Sequence, residues 1–395
     1  LISAYNNFSF AMQDIDQSLV ASARNYAQSY TSIFGNQVPP SFIDLGHFVQ
    51  LVAKQSSDSR IRTAANNVLS SLENVIVAER HGKSKPGSTG IAIYFPNSTL
   101  YRSPYTGMQS YTAIADRFAR TSLWDDFLVF HYNDRSFSEN AAEPVVPSAG
   151  GITRAPGSGA INLSQITTSA NSVTVGELVR LSIDITGEQV GYVYFFTGLY
   201  DASSNSILIA DTDYLESSQT EELNGVYYPV WPQSDSFRMN FEWEPTLFSI
   251  TDGNQSSVAL FNPLAYGASA EDAIYAVDGI YTFTENGEQR RAQMYFRDGR
   301  LFQVFGFQGS ETASSPYEIS TAAGDTFTLL QRWMELDASG QITQIVLEEG
   351  DTLTFGNSAF VWEQVYAPAG DYLVGFLVND MDGNVVQQYV QVKVE

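Results

Sequence analysis

The sequence predicts an α/β unit followed by all-β antiparallel sandwich domains. Three observations carry this prediction. Residues 1–132 repeat apolar side chains at helical spacing around one short apolar run. A stretch rich in Pro, Gly, Ser and Ala over 136–159 then lacks any period. Beyond it the period switches to two, with turn dipeptides between β-branched and aromatic segments.

The α/β prediction turns on residues 90–132. Gly90-Ile-Ala-Ile-Tyr-Phe95 is β-branched and aromatic, and Pro96 stops it. It reads as a strand apolar on both faces, inside a sheet covered on both sides. Ala113, Ile114 and Phe118 then recur at helical spacing over 110–120, and Trp124, Phe127, Leu128 and His131 do so over 123–132. Strand, loop and closing helices are how the last unit of an α/β domain looks. Such a strand needs neighbours, yet the residues before it supply helices.

Ile2, Tyr5, Phe8 and Met12 share one stripe over 1–15. Asp16 caps a helix predicted over 17–34, ended by Gly35 and the extended link Val38-Pro39-Pro40. A third helix carries Phe48, Leu51 and Val52, and a fourth, over 59–80, carries Ile61, Ala65, Val68, Leu72, Val75 and Ile76. Residues 81–87 form a loop. The expected units are 1–135, the back end of a larger α/β domain, and 136–159, a linker in which Arg154 marks a candidate processing site. A first β-sandwich over 160–265 and a second sandwich or barrel over 266–395 follow. Strands are expected over 173–185, 191–199, 236–243, 274–284, 290–296, 301–307, 327–334, 342–347, 360–364 and 371–378. Asp252-Gly253, Asn286-Gly287, Asp298-Gly299, Ser339-Gly340 and Asp382-Gly383 mark turns.

Composition excludes several function classes. A formal charge of −24 leaves too few cations to neutralise nucleic-acid phosphates. The four lysines, Lys54, Lys83, Lys85 and Lys393, make no polybasic membrane patch. No run of about 18 apolar residues appears, so no transmembrane segment is expected. The chain has no cysteine, hence no disulfide, thiolate nucleophile or Cys-ligated zinc. It opens at Leu1 directly into helical pattern, the expectation for a processed or truncated product.

Candidate chemistry is sparse. His131 shares a face with Trp124 and Phe127, as a satisfied core histidine or a base would. His47 follows Asp44-Leu-Gly46 near a helix start, and His81 is expected at a helix end, against the dipole. Neighbouring carboxylates such as Asp125-Asp126, Glu221-Glu222 and Glu348-Glu349 point apart and are expected to be solvated. Asp380, Asp382 and Asn384 match half of a calcium loop by ligand type, and calcium is the one cofactor this suggests. Their alternative is a hairpin turn, since both flanks read as strands. Asp211 and Asp213 repeat the pattern more thinly. Tyr227, Tyr228, Trp231, Phe241 and Trp243 suit either a carbohydrate platform or a sandwich core.

Three runs carry a family resemblance: SFIDLGHF (41–48), HGKSKPGSTGIAIYFP (81–96) and RFARTSLWDDFLVFHY (117–132). They resemble the clostripain family of cysteine peptidases, over residues 1–135, in the part lying after the catalytic cysteine. The resemblance implies a caspase-like α/β fold, cleavage after Arg or Lys by a His-Cys dyad, calcium dependence, and self-processing into two chains. The β-rich remainder resembles the accessory region of large secreted bacterial members. The dyad and the acidic residue reading the substrate's basic side chain would precede Leu1, so no catalytic residue is carried onto this chain. The resemblance therefore implies a non-catalytic C-terminal chain outside the cell or at its surface. Its partner would be the N-terminal catalytic chain of the same precursor, and basic peptides or proteins would be substrates of the complete enzyme. The alternative is a non-catalytic surface scaffold or adhesion protein using β-sandwiches for assembly or glycan binding.

Overall fold

Asp16 does cap the second helix, its carboxylate accepting the Ser18 N–H at 2.9 Å. The computed structural model describes residues 1–30, 41–82, 85–103, 107–140, 143–146, 151–232, 236–265, 273–307, 316–340 and 342–395. The expected Gly35 stop and the Val38-Pro39-Pro40 link lie outside these residues, as do Lys83 and Ser84 of the expected loop.

The helical unit begins with α1 (Ile2–Ala11), a 3-10 turn (Met12–Asp14) and α2 (Gln17–Tyr26). The second helix was expected to run on to residue 34. It stops because the next residues enter a sheet: the Gln28 carbonyl accepts the Asp44 N–H, and β1 (Ser29–Tyr30) pairs with β2 (Phe42–Asp44). Helices α3 (Leu45–Gln55) and α4 (Ser59–Val75) follow, then β3 (Ala92–Tyr94), α5 (Ser98–Tyr101), α6 (Met108–Ile114), α7 (Asp116–Ala119) and α8 (Trp124–Asn133). The helix expected over 110–120 is two short ones, broken at Ala115. Phe8, Met12, Val20, Phe48, Trp124 and Phe127 form the fully buried centre of this unit.

The sheet runs β1-β2-β3, antiparallel throughout. The strand expected inside a covered sheet is therefore an edge strand, with Ala92 exposed and Ile93 and Tyr94 buried. Its apolar outer side is explained by α8, which covers it in place of another strand. Phe95 N–H donates to Ser41 O and Leu45 N–H to Ile91 O, so alternation turns the Tyr94 and Pro96 carbonyls outward. Trp124 Nε1 donates to Tyr94 O at 2.6 Å and the Tyr132 hydroxyl to Pro96 O at 2.5 Å. On the opposite edge, Ser29 N–H donates to Gln28 Oε1 and Ser29 O accepts from Lys85 Nζ at 2.9 Å. Side chains of this polypeptide thus bond the outward Tyr94 and Pro96 carbonyls on one edge and both backbone groups of Ser29 on the other.

The described part of 136–159 is strapped to α8 and does not hang as a free tether. Phe137 packs edge-on against Phe10 and Phe130. Val145 N–H donates to Asp125 Oδ2 at 2.7 Å. Arg154 lays its guanidinium over Phe130 and donates from Nε to His131 O, while its backbone N–H reaches Tyr132 O.

The β region does not divide at 265. One core joins Val179–Thr186, Val190–Asp201 and Phe237–Trp243 to the chain's last two strands, Gly370–Asp380 and Val385–Val394. A second core lies among strands between Thr246 and Tyr366. The second unit is thus inserted into the first, whose closing strands follow Val361–Tyr366 after a three-residue link. Thr326–Leu336 bridges the two, pairing with Ile274–Thr282 along one half and Ser206–Leu215 along the other. All five marked turns carry a glycine at positive φ, and Asp298 (49°) with Gly299 (71°) makes a two-residue hairpin.

Candidate functional site

The turn between the last two strands reaches into the helical unit and joins it to the β region. There the structure brings Asp380, Asp382 and Asn384 together. Asp380 Oδ1 accepts from the N–H groups of Asp382 (3.0 Å) and Asn384 (2.8 Å), and its Oδ2 from Asn384 Nδ2 (2.8 Å). Asp382 Oδ1 accepts the Ser98 N–H at 2.8 Å, and its Oδ2 accepts the Ser98 hydroxyl and that of Ser158. Asn97, the N-cap of α5, donates from Nδ2 to Asp382 O at 3.2 Å.

All four carboxylate oxygens therefore already face N–H or O–H hydrogens of the chain. A calcium ion requires about six to eight oxygens turned to it by lone pairs, so the donor set fits a hydrogen-bonded junction and not a cation. No group of three or more His, Cys, Asp or Glu side chains arranged for a metal occurs among the described residues. Burial pushes the Asp380 carboxyl above its ordinary range. Arg24, buried beside this junction, donates from Nε to Phe95 O at 3.0 Å, and burial lowers its pKa despite the nearby Tyr132 and Asp382.

A cleft of about 290 Å³ opens at the same junction, lined among others by Ser18, Ser22, Tyr26, Gln189, Tyr228 and Trp231. Tyr26 OH and Trp231 Nε1 both donate to Gly191 O. Tyr26 stacks on Tyr228 at 5.0 Å and Trp231 on Phe237 at 5.6 Å, so these ring faces are already covered. Trp243 is buried, and Phe241 stacks on Phe195 at 4.0 Å. Of the five aromatics weighed as a carbohydrate platform, Tyr227 stands exposed, while Tyr228, Trp231 and Trp243 are core. The sandwich-core alternative describes Trp231, Phe241 and Trp243, whereas Tyr228 packs into the core of the helical unit.

The runs carrying the family resemblance also converge. Asp44 is fully buried and caps α3, its Oδ1 accepting the His47 N–H at 2.9 Å. The same carboxylate accepts from Thr89 Oγ1 (2.6 Å), Thr89 N (2.7 Å) and Tyr30 OH (2.9 Å). Gly46 is needed because a Cβ there would lie 2.5 Å from Thr89 Oγ1.

None of the histidines meets a nucleophile among the described residues. His47 is buried and accepts the Gln28 N–H at Nδ1, 2.8 Å; burial lowers its pKa. His131 is buried against Phe95, with Nδ1 2.8 Å from Gln17 Oε1, and burial followed by the Arg154 and Arg24 charges holds it down to about 3. His81 pairs with Glu79 at 2.8 Å; α4 ends at Val75, so it does not meet that helix's dipole as expected.

Two carboxylates depart from expectation. Asp125 is buried and not solvated, because the 143–146 strap closes over it, and burial pushes it up to about 6. Burial and the neighbouring Asp213 push Asp211 up to about 7. This pair shares one side of its strand without a third acidic or histidine ligand beside it among the described residues.

No protein-family model matches the chain, and no curated protein matches it. Among solved structures it is similar to dimeric latent PorU from Porphyromonas gingivalis, at 9% identity and a TM-score of 0.13. That likeness covers 66% of this chain and 35% of PorU, so the chain spans about a third of that protein's length. At this level of similarity it decides neither fold nor function.

Proposed function

We infer that the chain is the non-catalytic C-terminal portion of a secreted clostripain-like cysteine endopeptidase, docked to a separate chain that carries the His-Cys dyad. On this reading the complete enzyme cuts basic peptides or proteins after Arg or Lys, outside a bacterial cell or at its surface. The supporting observation is that the three resembling runs interlock. Asp44 clamps Thr89, and Trp124 and Tyr132 hold the Tyr94 and Pro96 carbonyls. Residues far apart in sequence thus belong to one packed unit, as a shared scaffold requires. The chain itself supplies no thiol, and its histidines are bonded to Gln28, Glu79 and Gln17.

The capped edges favour a second reading, a non-catalytic surface scaffold, because this small sheet asks for no added strand at Tyr94. A catalytic companion would have to seat elsewhere, and Val77 and Ile114 are exposed apolar positions on the helical unit. Intact mass spectrometry of native material separates the two. The first reading expects a co-purifying Cys- and His-bearing polypeptide from the same precursor, with Arg- or Lys-specific peptidase activity that disappears on separating the chains. Native material containing this polypeptide without such a companion contradicts it.

A further inference from the structure

The strand Ile342–Thr354 is 13 residues long and pairs with one strand, Thr326–Leu336. Leu336 N–H donates to Asn205 O, on the side where Trp333–Glu335 pair with Ser206–Leu208. Alternation therefore turns the backbone groups of Trp333 and Glu335 towards Val346 and Gln344. The other parity, Thr343, Ile345, Leu347 and Glu349, faces the strand's free edge. Farther along, Gln255 closes that edge, its amide bonding both the N–H and the carbonyl of Thr354. No described residue does so over 343–349, where Ile345 is 48% exposed.

We propose that this edge pairs with the same edge of a second copy of the chain, antiparallel about a two-fold axis at Val346. The argument is complementarity of register. About Val346, each valine meets its twin, Ile345 meets Leu347, Gln344 meets Glu348 and Thr343 meets Glu349. Apolar residues then face apolar ones, and every carboxylate faces an amide or a hydroxyl. Shifting the axis to Leu347 sets Ile345 against Glu349 and Val346 against Glu348; shifting it to Ile345 sets Glu348 against Ile342. Each copy carries −24, so long-range repulsion opposes the pairing and salt screens it. The proposal is independent of the peptidase reading, since a companion chain and a second copy use different surfaces.

Light scattering on the full chain should give about twice the 43.5 kDa monomer mass, with the dimer strengthened as salt rises. Ile345→Pro deletes an outward N–H that has no partner among the described residues; it should abolish the dimer and leave the melting temperature of the monomer nearly unchanged. Val346→Cys introduces the only thiol, with Cα about 4.5 Å from its twin in a non-hydrogen-bonded pair, within disulfide reach. Oxidation should cross-link it, and Thr343→Cys, three residues from the axis, should stay uncross-linked. A monomer at every concentration and salt, a dimer that survives Ile345→Pro, or equal cross-linking of the two cysteine variants would overturn the proposal.

Discussion

Asp382 and Ser98 stand 284 residues apart, and the carboxylate of the first accepts both the backbone N–H and the hydroxyl of the second. The contact satisfies an orphan donor at the start of α5 and joins the helical unit to the closing hairpin of the β region. Asp382→Ala removes the bonds of its carboxylate to Ser98 and Ser158, leaving the Asn97 bond to its backbone carbonyl, and should cost about 2–3 kcal/mol, as for hydrogen bonds to a charged group. Ser98→Ala keeps the backbone bond and should cost about 1 kcal/mol. Urea unfolding of both variants gives the comparison; equal or negligible losses would show that the contact does not join the units.

Gly46→Ala tests the clamp between two of the resembling runs. The added methyl meets Thr89 at 2.5 Å, so a loss of about 1–3 kcal/mol is expected from overpacking. Thr89→Ala should cost less in the Gly46→Ala background than in the native chain, because the clash has already pushed Thr89 from Asp44. Additive effects in a double-mutant cycle would contradict this.

His131 makes stability depend on acid. Its folded pKa is about 3 against an ordinary 6.5, so below pH 6.5 the unfolded chain binds a proton that the folded chain refuses. Its contribution is complete above pH 6.5 and is lost as pH falls towards 3, with a limiting slope of about 1.4 kcal/mol per pH unit. Relative to the native chain, His131→Gln should gain stability steadily below pH 6.5. Asp211 has the opposite sign: raised from 3.8 to about 7, it contributes stability in acid that is lost as pH rises through 7. Asp211→Asn should therefore lose its penalty relative to the native chain at neutral pH. Urea titrations across this range read both effects, and parallel curves for native and variant chains would refute them.

Calcium is expected to leave the melting temperature unchanged within about 1 °C, since a ligand at a hundredfold its Kd would add about 2.7 kcal/mol. A rise of several degrees that Asp380→Asn abolishes would show that the hairpin carboxylates exchange their hydrogen bonds for a cation.

Much of the local structure was legible in the sequence. Asp16 announced a helix start, α8 followed its apolar spacing, and the five Gly-containing pairs marked real turns. Asn224-Gly225 offered the same signal and was overlooked; it closes the hairpin of Thr220–Leu223 and Val226–Pro229, with φ of 55° and 81°. What could not be read was set by distant pairing. Ser29–Tyr30 and Phe42–Asp44 are too short to show a period, and exist because of their partners across the sheet. Nothing local in Gly370–Asp380 says that it lies beside Val190–Asp201, so the insertion of one β unit into another stayed hidden. Asp382 looked like a cation ligand because its partner Ser98 belongs to a distant helix.

The most direct test of one interlocked body is native-state hydrogen exchange with Asp382→Ala beside the native chain. Faster exchange at residues 97–103 and 380–384, with the inserted 246–366 unit unaffected, is the predicted outcome. Unchanged protection at both segments would mean that the helical unit and the closing hairpin are held together by something other than this carboxylate.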